Sequence, residues 1–450
     1  MANIIKLRKG LNLNLVGKPV EELRTVGGSA TYALVPDDFH GVVPKVTVRQ
    51  GDRVKAGDVL FCDKNIPDIC FVSPVSGEVT GVNRGERRKV LSITVKADDV
   101  VEYKDFGLKG VDALSGPQVK EAMLAGGVWP VVRQRPYDVI ADPRVEPRAI
   151  FVTAFDTRPL APRFDFVLRG NEDDFLAGMK ALTKMGKTYL SMSAGQDLAL
   201  PLDGVEVYKF SGPHPAGNVG VQINHIAPVN KGEVVWTLSA WDVILVGRLF
   251  NRGVADMTRI IAVVGSEVSH PSYCKVRVGQ QIGSILAGNL KDECHQRIIS
   301  GNVLTGTKRG ADDYLGFYDT EVTVIPEGDD EHEALGWIMP RLNQFSVSHS
   351  YFNWLLDPAG RKEYRCDARI KGSERHMIMS HEYDRVLPMN IMPEYLIKAI
   401  IAGDIDRMEA LGIYEVAPED FALCEFVDSS KLELQRIVRD GLDLLRKEMA

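Results

Sequence analysis

The chain has 450 residues, 45% hydrophobic and 26% charged, a composition typical of a soluble globular protein with about three domains. The net charge of -7 at pH 7, without a dense basic stripe, argues against nucleic-acid binding. No stretch reaches the roughly 18–20 uninterrupted apolar residues of a transmembrane helix. The N-terminus lacks the apolar core of a signal peptide, so we expect a cytoplasmic location.

The six cysteines are scattered along the chain, and no two of them have C-x-x-C spacing. This pattern predicts reduced thiols and argues against a zinc or redox-disulfide site. The pairs His270 with Cys274 and His376 with His381 have helical ligand spacing. Because Pro271 follows the first histidine and arginines flank the second pair, we predict no metal site.

Residues 1–35 are Gly-rich and weakly patterned, and we predict an N-terminal arm without a core of its own. The first strong pattern lies between Gly51 and Val79. Two Gly-Asp turns and an S-P-V-S-G-E-V turn alternate there with short apolar strands. These three turns predict a barrel-sandwich hybrid domain over residues 36–100, the fold of biotinyl and lipoyl carrier domains.

A carrier function is one alternative for this barrel. Asp63-Lys64 matches the dipeptide that lipoyl carriers modify. However, eight residues (Asn65–Val72) separate Lys64 from Ser73, which is more than in carrier domains, and Pro67 is one of them. We therefore favour a docking module with Lys64 on its surface.

Helix and strand patterns alternate over residues 101–258 and predict a Rossmann-like α/β domain with a parallel sheet. Ser115–Ala125 begins with a cap and a proline, which predicts a helix. Ala149–Ala154 is predicted as a buried strand and Glu172–Met185 as an amphipathic helix. Periodicity alone leaves Val243–Val246 open as a strand or a buried helix segment.

A small mixed sheet with one helix, a β-grasp domain of the SLBB type, is predicted over residues 259–326. Helical patterns dominate residues 327–450, where Ser430 and Glu433 have capping-box spacing. A ferredoxin cluster motif, C-x2-C-x2-C-x3-C-P, can be aligned on Cys424, but no other cysteine falls in that frame. One thiolate cannot hold a cluster, so we predict a degenerate ferredoxin-like domain without iron.

Established catalytic motifs are missing from the sequence. It contains no G-x-G-x-x-G, Walker, G-x-S-x-G or H-E-x-x-H segment. We therefore predict neither catalytic residues nor a bound cofactor in this chain.

Several segments in a fixed order carry a specific resemblance. They are Ile5-Lys-x-x-Lys9-Gly10-Leu11, the barrel's SPVSGEV, Gly126-Gly-Val-Trp-Pro130, Arg133-Gln-Arg-Pro136, Phe155-Asp-Thr-Arg-Pro-Leu-Ala-Pro162, Gly212-Pro-His-Pro-Ala-Gly217-Asn218, Asn224-His225-Ile226 and Gly265-Ser266. Across essentially its whole length the chain resembles the A-subunit family of sodium-translocating NADH:quinone reductases. It is also similar to the C subunit of the Rnf complex and, more remotely, to the flavin-binding subunit of respiratory complex I.

The resemblance implies a cofactor-free peripheral subunit on the cytoplasmic side of the inner membrane. Flavin-binding relatives use a Gly-rich turn and an N-G-A-E-C-E-P-like loop, and the matching places here are AGGVWP and TAFDTRPLAP. Trp129 fills space that a ligand would need, and Asp156 and Arg158 replace the loop residues. Flavins, iron–sulfur clusters and NADH would then bind partner subunits of the sodium-pumping complex, on which the arm with Lys6 and Lys9 would dock.

The family has also been associated with quinone. A quinone site needs an aromatic, apolar slot with one or two hydrogen-bond donors. Trp129, Arg133, Phe155 and Arg158 supply these types and are our candidates for quinone-proximal residues. The alternative is that the two arginines bridge acidic neighbours across a domain interface. The alternative function is a stand-alone flavin- or NADH-binding oxidoreductase, against which the missing phosphate-binding glycines count.

Overall fold

The computed structural model describes residues 3–291, 294–329, 344–348, 351, 355 and 360–449. Strands make up most of the regular structure in the first hundred residues. The strands in this part are β1 (Asn3–Lys6), β2 (Val20–Arg24), β3 (Thr31–Leu34), β4 (Pro44–Val46), β5 (Arg53–Val54), β6 (Val59–Asp63), β7 (Cys70–Val72), β8 (Gly77–Arg84) and β9 (Val90–Ala97). Strands β3-β9-β8-β5 form one sheet and β4-β6-β7 a second, which confirms the barrel-sandwich prediction.

Glycine turns shape this barrel as the sequence predicts. Gly51 and Gly57 have φ of 91° and 100°, a region that a Cβ atom disfavours. At Gly77 a Cβ atom would lie 1.9 Å from the Lys96 carbonyl oxygen, so only glycine fits between β8 and β9. Lys64 is exposed at the first position after β6.

One cysteine prediction is wrong. Cys62 and Cys70 lie opposite each other on β6 and β7 and form a disulfide. The register of the hairpin places the two residues side by side, although the C-x7-C spacing matches no motif. Cys274, Cys366 and Cys424 are free thiols, and the Cys294 thiol donates to the Glu267 carboxylate at 3.3 Å.

Residues 3–35 pair and pack with the rest of the fold, which corrects the prediction of an arm without a core. β1 pairs in parallel with residues 208–211, and β2 pairs with residues 272–274. Between these strands Leu7, Leu13 and Leu15 are buried. The segment therefore ties the α/β sheet to the β-grasp sheet.

The α/β region contains six strands and five helices, and the N-terminal strand β1 completes its seven-stranded sheet. Its elements are α1 (Gly116–Ala125), β10 (Arg133–Arg135), β11 (Val139–Ile140), β12 (Ala149–Thr153), α2 (Phe164–Leu168), α3 (Glu172–Met185), β13 (Thr188–Ser193), β14 (Val205–Ser211), α4 (Val219–Ile226), β15 (Val235–Ser239) and α5 (Ala240–Arg252). Residues 243–246 belong to α5, which settles the ambiguity left by periodicity in favour of a buried helix.

The sheet order is β1-β14-β13-β12-β15-β10-β11, and all strands from β1 to β15 in this order run parallel. From β12 the chain moves outward through β13 and β14 and then returns to the other side of β12 at β15. The carboxyl ends of β12 and β15 therefore form a topological switch point, where open α/β sheets place their ligand crevices.

The β-grasp region follows with a six-stranded sheet. Its elements are β16 (Thr258–Val264), β17 (Ser272–Arg277), α6 (Ile282–Leu286), β18 (Gln296–Ser300), β19 (Thr307–Arg309) and β20 (Glu321–Pro326). The order β19-β18-β20-β16-β17-β2 includes the N-terminal strand β2 at one edge. The small mixed sheet with one helix is as predicted.

The C-terminal region is helical, as predicted. Its described helices are α7 (Tyr383–Val386), α8 (Pro393–Ala402), α9 (Ile405–Ala410), α10 (Ala422–Val427) and α11 (Leu434–Glu448). Residues 330–343, within the predicted helical region, lie outside the described residues. The capping box at Ser430 is wrong, because α11 begins at Leu434 and the Ser430 hydroxyl accepts a hydrogen bond from the Ile378 N–H instead. Over the described parts of the chain, no helix is both long and apolar enough to cross a membrane.

Candidate functional site

A cavity of about 470 Å³ opens at the switch point of the α/β sheet. The end of β12 supplies Thr153 and the end of β15 supplies Ser239. The β-grasp region closes another side with residues 318–320, and the C-terminal helices add Glu419 and Arg439. The cavity therefore lies where three parts of the fold meet.

Three of the four quinone-proximal candidates line this cavity. Arg133 comes from β10, while Phe155 and Arg158 come from the loop after β12. Trp129 does not line it: the side chain is fully buried, and its indole N–H donates to the Ala141 carbonyl oxygen at 2.8 Å. Its ring packs edge-on against Trp236 with 5.2 Å between centroids. Trp129 thus supports the hairpin that carries Arg133.

An ion pair holds Arg158 at the cavity wall. The Asp156 carboxylate accepts hydrogen bonds from the Arg158 backbone N–H at 2.8 Å and from its Nε at 2.7 Å. Burial raises the pKa of Asp156, but the Arg158 charge and these hydrogen bonds outweigh it and leave the pKa below its ordinary value. The pair therefore stays ionised. Nearby, burial lowers the pKa of His214 to about 4, so this imidazole is neutral.

Asp138 is the centre of a second buried cluster. Its carboxylate pairs with Arg133 Nη2 at 2.6 Å and Arg439 Nη2 at 2.8 Å, and also with Arg135. Arg135 Nη2 extends the cluster to Glu419 at 3.2 Å. Burial raises the pKa of Asp138, but the three guanidinium charges outweigh it and lower the pKa well below its usual range. The cluster joins the C-terminal helices to the β10–β11 hairpin.

These two clusters answer the alternative raised for the arginines. Arg133 pairs with Asp138 of its own hairpin and Arg158 with Asp156 of its own loop, so neither reaches across a domain interface, and the long-range contact to Asp138 is made by Arg439. However, Arg133 and Arg158 each keep one Nη1 donor that makes no hydrogen bond to any described residue. Both side chains remain partly exposed in the cavity wall, at 33% and 27%. They are thus structural and still able to donate to a ligand.

Aromatic side chains complete the wall. The Arg133 guanidinium lies over the Tyr318 ring at 5.4 Å, and the Tyr318 hydroxyl donates to the Pro130 carbonyl oxygen at 2.7 Å. Trp241, the second residue of α5, packs on Phe164 with 5.0 Å between ring centroids. Its indole nitrogen is buried without a hydrogen-bond partner in the described structure.

Family models match three parts of this chain. They are the NqrA N-terminal barrel-sandwich hybrid domain at residues 5–98, the NqrA second alpha/beta domain at residues 114–255 and the NQRA C-terminal domain at residues 260–310. The A-subunit proteins of the Na(+)-translocating NADH-quinone reductases of Yersinia pestis bv. Antiqua (strain Angola) and Neisseria meningitidis serogroup B are each 36% identical over 451 aligned residues. These alignments cover 99% of this chain and 100% of each relative.

The chain belongs to the NqrA family. Among solved structures, an NAD+-reducing nickel–iron hydrogenase in the H2-reduced state aligns over 47% of each chain, with 14% identity and a TM-score of 0.37. A likeness at that level carries no functional argument. NqrA membership agrees with the sequence resemblance and with the order of the three matched domains.

In this NqrA chain the Gly-rich turn at residues 126–130, where the sequence resemblance would place a flavin site, is filled by protein atoms. Gly127 has φ of 65°, and a Cβ atom there would lie 2.2 Å from the Val72 side chain of the barrel. Trp129 follows in the buried 3-10 turn. A flavin phosphate needs close approach to exposed backbone at such a turn, so these residues do not fit it.

The positions that align with the ferredoxin motif are likewise part of the packed core. Cys424 is buried on α10, and burial raises the pKa of its thiol well above the ordinary value. Phe421, at the position of a second ligand, is fully buried beside it. Among the residues that the structure describes, no group of three or more His, Cys, Asp or Glu side chains could hold a metal ion.

Glu321, at the start of β20, is an unusual acid next to the cavity. Its side chain is fully buried and both carboxyl oxygens lack a hydrogen-bond partner within the described chain. It follows two cavity-lining residues, Asp319 and Thr320. The pKa of Glu321 is raised to about 8, mainly by burial. The positive charge of Arg158 lowers this pKa, and the negative charge of Asp156 raises it further. The carboxyl group is therefore protonated at pH 7.

We expect Glu321→Gln to remove a pH dependence of stability. The pKa of Glu321 is about 8 in the folded protein and near 4.3 in the unfolded chain. Its contribution to the free energy of unfolding is therefore fully present below the unfolded pKa and is lost as the pH rises through about 8. The thermal midpoint of the wild type should therefore fall relative to Glu321→Gln between pH 5 and pH 8. Glu22→Gln, at an exposed position on β2, is the control, and parallel profiles for Glu321→Gln and wild type would contradict the assignment.

Proposed function

We propose that this chain is the peripheral A subunit of a sodium-pumping NADH:quinone oxidoreductase, where it supports electron transfer from NADH to quinone coupled to Na+ export. The observation that carries this proposal is the 36% identity over the full length of proteins with that name. The same domains occur here in the same order. The carrier and stand-alone oxidoreductase alternatives have no comparable support.

In this proposal, flavins, iron–sulfur clusters and NADH are bound by partner subunits, and the chain itself holds no cofactor. The filled Gly127 turn and the buried, isolated Cys424 support that division. The chain docks on membrane-embedded subunits from the cytoplasmic side of the inner membrane.

The switch-point cavity is the proposed place of quinone contact. Phe155 offers an aromatic face, and Arg133 and Arg158 offer Nη1 donors for a carbonyl oxygen. A guanidinium group already fixed by a carboxylate loses little freedom when it binds a ligand. Trp129 does not contact the quinone in this proposal. Its packing against Trp236 and its hydrogen bond to the Ala141 carbonyl oxygen hold in place the β10–β11 hairpin that carries Arg133.

In the assembled complex, we expect Arg133→Leu to raise the Michaelis constant for quinone about tenfold or more, the value of a charge-assisted hydrogen bond. The oxidation of NADH by artificial acceptors should stay unchanged, since that reaction does not use the cavity. The fold should persist, because Asp138 retains Arg135 and Arg439. Quinone and NADH kinetics on purified complex, with thermal stability in parallel, test this.

The matched control is Arg144→Leu. Arg144 also pairs with a nearby aspartate, Asp142, but is 67% exposed and does not line the cavity. Its kinetics should equal those of the wild type. Wild-type quinone kinetics in a stable, assembled Arg133→Leu complex would make Arg133 a structural residue and the whole chain a scaffold.

A further inference from the structure

Four of the five carboxyl groups that line the switch-point cavity are paired with arginine. They belong to Asp138, Asp156, Asp242 and Glu419. Protonating any of them would leave a guanidinium group in or beside the cavity without its partner, which is costly. The fifth, Asp319, forms no ion pair with any described residue. Asp319 is therefore the cavity acid that can take up and release a proton without breaking an ion pair.

The Asp319 carboxyl group is fixed at one oxygen and open at the other. Oδ2 accepts a hydrogen bond from the Ser300 hydroxyl at 2.5 Å, and a Cβ atom at Gly316 would lie 2.3 Å from it, so glycine is needed there. Oδ1 has no hydrogen-bond partner among the described residues, and it is not one of the polar atoms that the protein seals from solvent. Because the residue is only half-buried, this oxygen is free to meet a ligand.

Charges of both signs surround this carboxyl group. The groups that face it are the guanidinium groups of Arg158, Arg259 and Arg309 and the carboxyl groups of Asp38 and Glu321. Burial raises the pKa of Asp319 above its ordinary value, although the Ser300 hydrogen bond and the guanidinium charges lower it. Asp319 thus holds a proton more firmly than an exposed aspartate does, and the anion left after its loss is stabilised.

We propose that Asp319 is the general acid that protonates quinone in this cavity as the quinone is reduced. This inference rests on the proposed function, in which NADH supplies two electrons through partner subunits. A quinone that becomes a quinol also takes up two protons, one at each carbonyl oxygen. The O–H bond of Asp319 breaks, its proton forms an O–H bond on one carbonyl oxygen, and Asp319 is left as a carboxylate. Solvent that enters the cavity supplies the second proton and protonates Asp319 again.

Other polar groups of the wall are unsuited to this step. Arg133 and Arg158 donate hydrogen bonds, but a guanidinium group does not give up its proton in proteins. Burial raises the pKa of Tyr318 far above its ordinary value, and its hydroxyl already donates to the Pro130 carbonyl oxygen at 2.7 Å. The arginines can stabilise negative charge on the reduced quinone, and Asp319 supplies the proton.

The test is steady-state kinetics of the assembled complex with NADH and a short-chain ubiquinone between about pH 5 and about pH 9. Asp319→Asn keeps the shape of the side chain and removes the acidic proton. We expect it to lower kcat for quinone reduction about 100-fold and to leave the Michaelis constant for quinone and the oxidation of NADH by artificial acceptors unchanged. The wild-type rate should fall as the pH rises through the raised pKa of Asp319, and the variant should lack this alkaline fall.

Three further variants accompany it, with thermal stability measured in parallel. Asp319→Glu retains an acid and should keep the alkaline fall. Ser300→Ala removes the hydrogen bond that stabilises the carboxylate, so the fall should move to higher pH. Asp312→Asn is the matched control, because Asp312 is an exposed aspartate of the same β-grasp region that does not line the cavity, and its kinetics should equal those of the wild type.

The outcomes are distinct. A wild-type kcat or an unchanged alkaline fall in a stable Asp319→Asn complex would overturn the inference, and a raised Michaelis constant in Arg133→Leu would then leave the quinone site in place. If neither variant alters quinone kinetics, the proposed quinone contact itself fails. If Asp319→Asn does not assemble, an alkaline fall that stays in place in Ser300→Ala would overturn the acid role.

Discussion

Replacing Asp138 with asparagine should lower the free energy of unfolding by about 3–5 kcal/mol, the usual cost of removing one partner from a buried ion pair. The change keeps the shape of the side chain but removes the negative charge that compensates three guanidinium groups. Arg135 is almost fully buried and cannot turn to solvent. Denaturant unfolding followed by circular dichroism measures the difference.

The control is Asp37→Asn, which removes a carboxylate from the exposed pair between Asp37 and Lys89. It should cost about 1 kcal/mol or less. The effect of Asp138→Asn should also depend on pH. The pKa of Asp138 is lower in the folded protein than in the unfolded chain, where it is near 3.9. The contribution of Asp138 to the free energy of unfolding is therefore present above the unfolded pKa and is lost as the pH falls through the folded pKa. A variant as stable as the wild type at pH 7 would contradict the role of the cluster.

Replacing Trp129 with alanine should cost roughly 3–5 kcal/mol, because it leaves a large cavity beside Trp236 and breaks the bond to the Ala141 carbonyl. Trp129→Phe retains most of the ring and should cost less. Thermal and denaturant unfolding of both variants check the order of the effects.

The same pair of variants separates support from direct contact. If Trp129 only supports the hairpin, Trp129→Phe should keep the Michaelis constant for quinone near the wild-type value in the assembled complex. A raised Michaelis constant in a Trp129→Phe complex of unchanged stability would instead place the indole against the quinone.

Much of the fold could be predicted because its causes are local. The barrel depends on glycines at positive φ in short turns, such as Gly51 and Gly57, and those turns are visible in the sequence. The N-terminal segment was harder, since β1 pairs with a strand about two hundred residues away and has no strong pattern of its own. The Cys62–Cys70 bond depends on hairpin register, which spacing alone does not give.

The site was predictable in part for the same reason. Arg133, Phe155 and Arg158 lie on loops and strand ends near the switch point, so their position follows from the order of strands. Trp241 was missed, although it comes two residues after the end of β15. No sequence pattern indicated that Arg439 belongs to the site. Its partner Asp138 lies about three hundred residues earlier in the chain, and only the packing of α11 brings the two side chains together.

The central claim is membership in a membrane redox complex, and affinity purification of the tagged full-length chain from native membranes tests it most directly. We expect integral membrane flavoproteins to co-purify with it in fixed stoichiometry, together with Na+-stimulated oxidation of NADH by quinone. The tagged chain without its partners should be colourless. Recovery of the chain alone from native membranes, or of a chain that carries its own flavin and oxidises NADH unaided, would contradict the account.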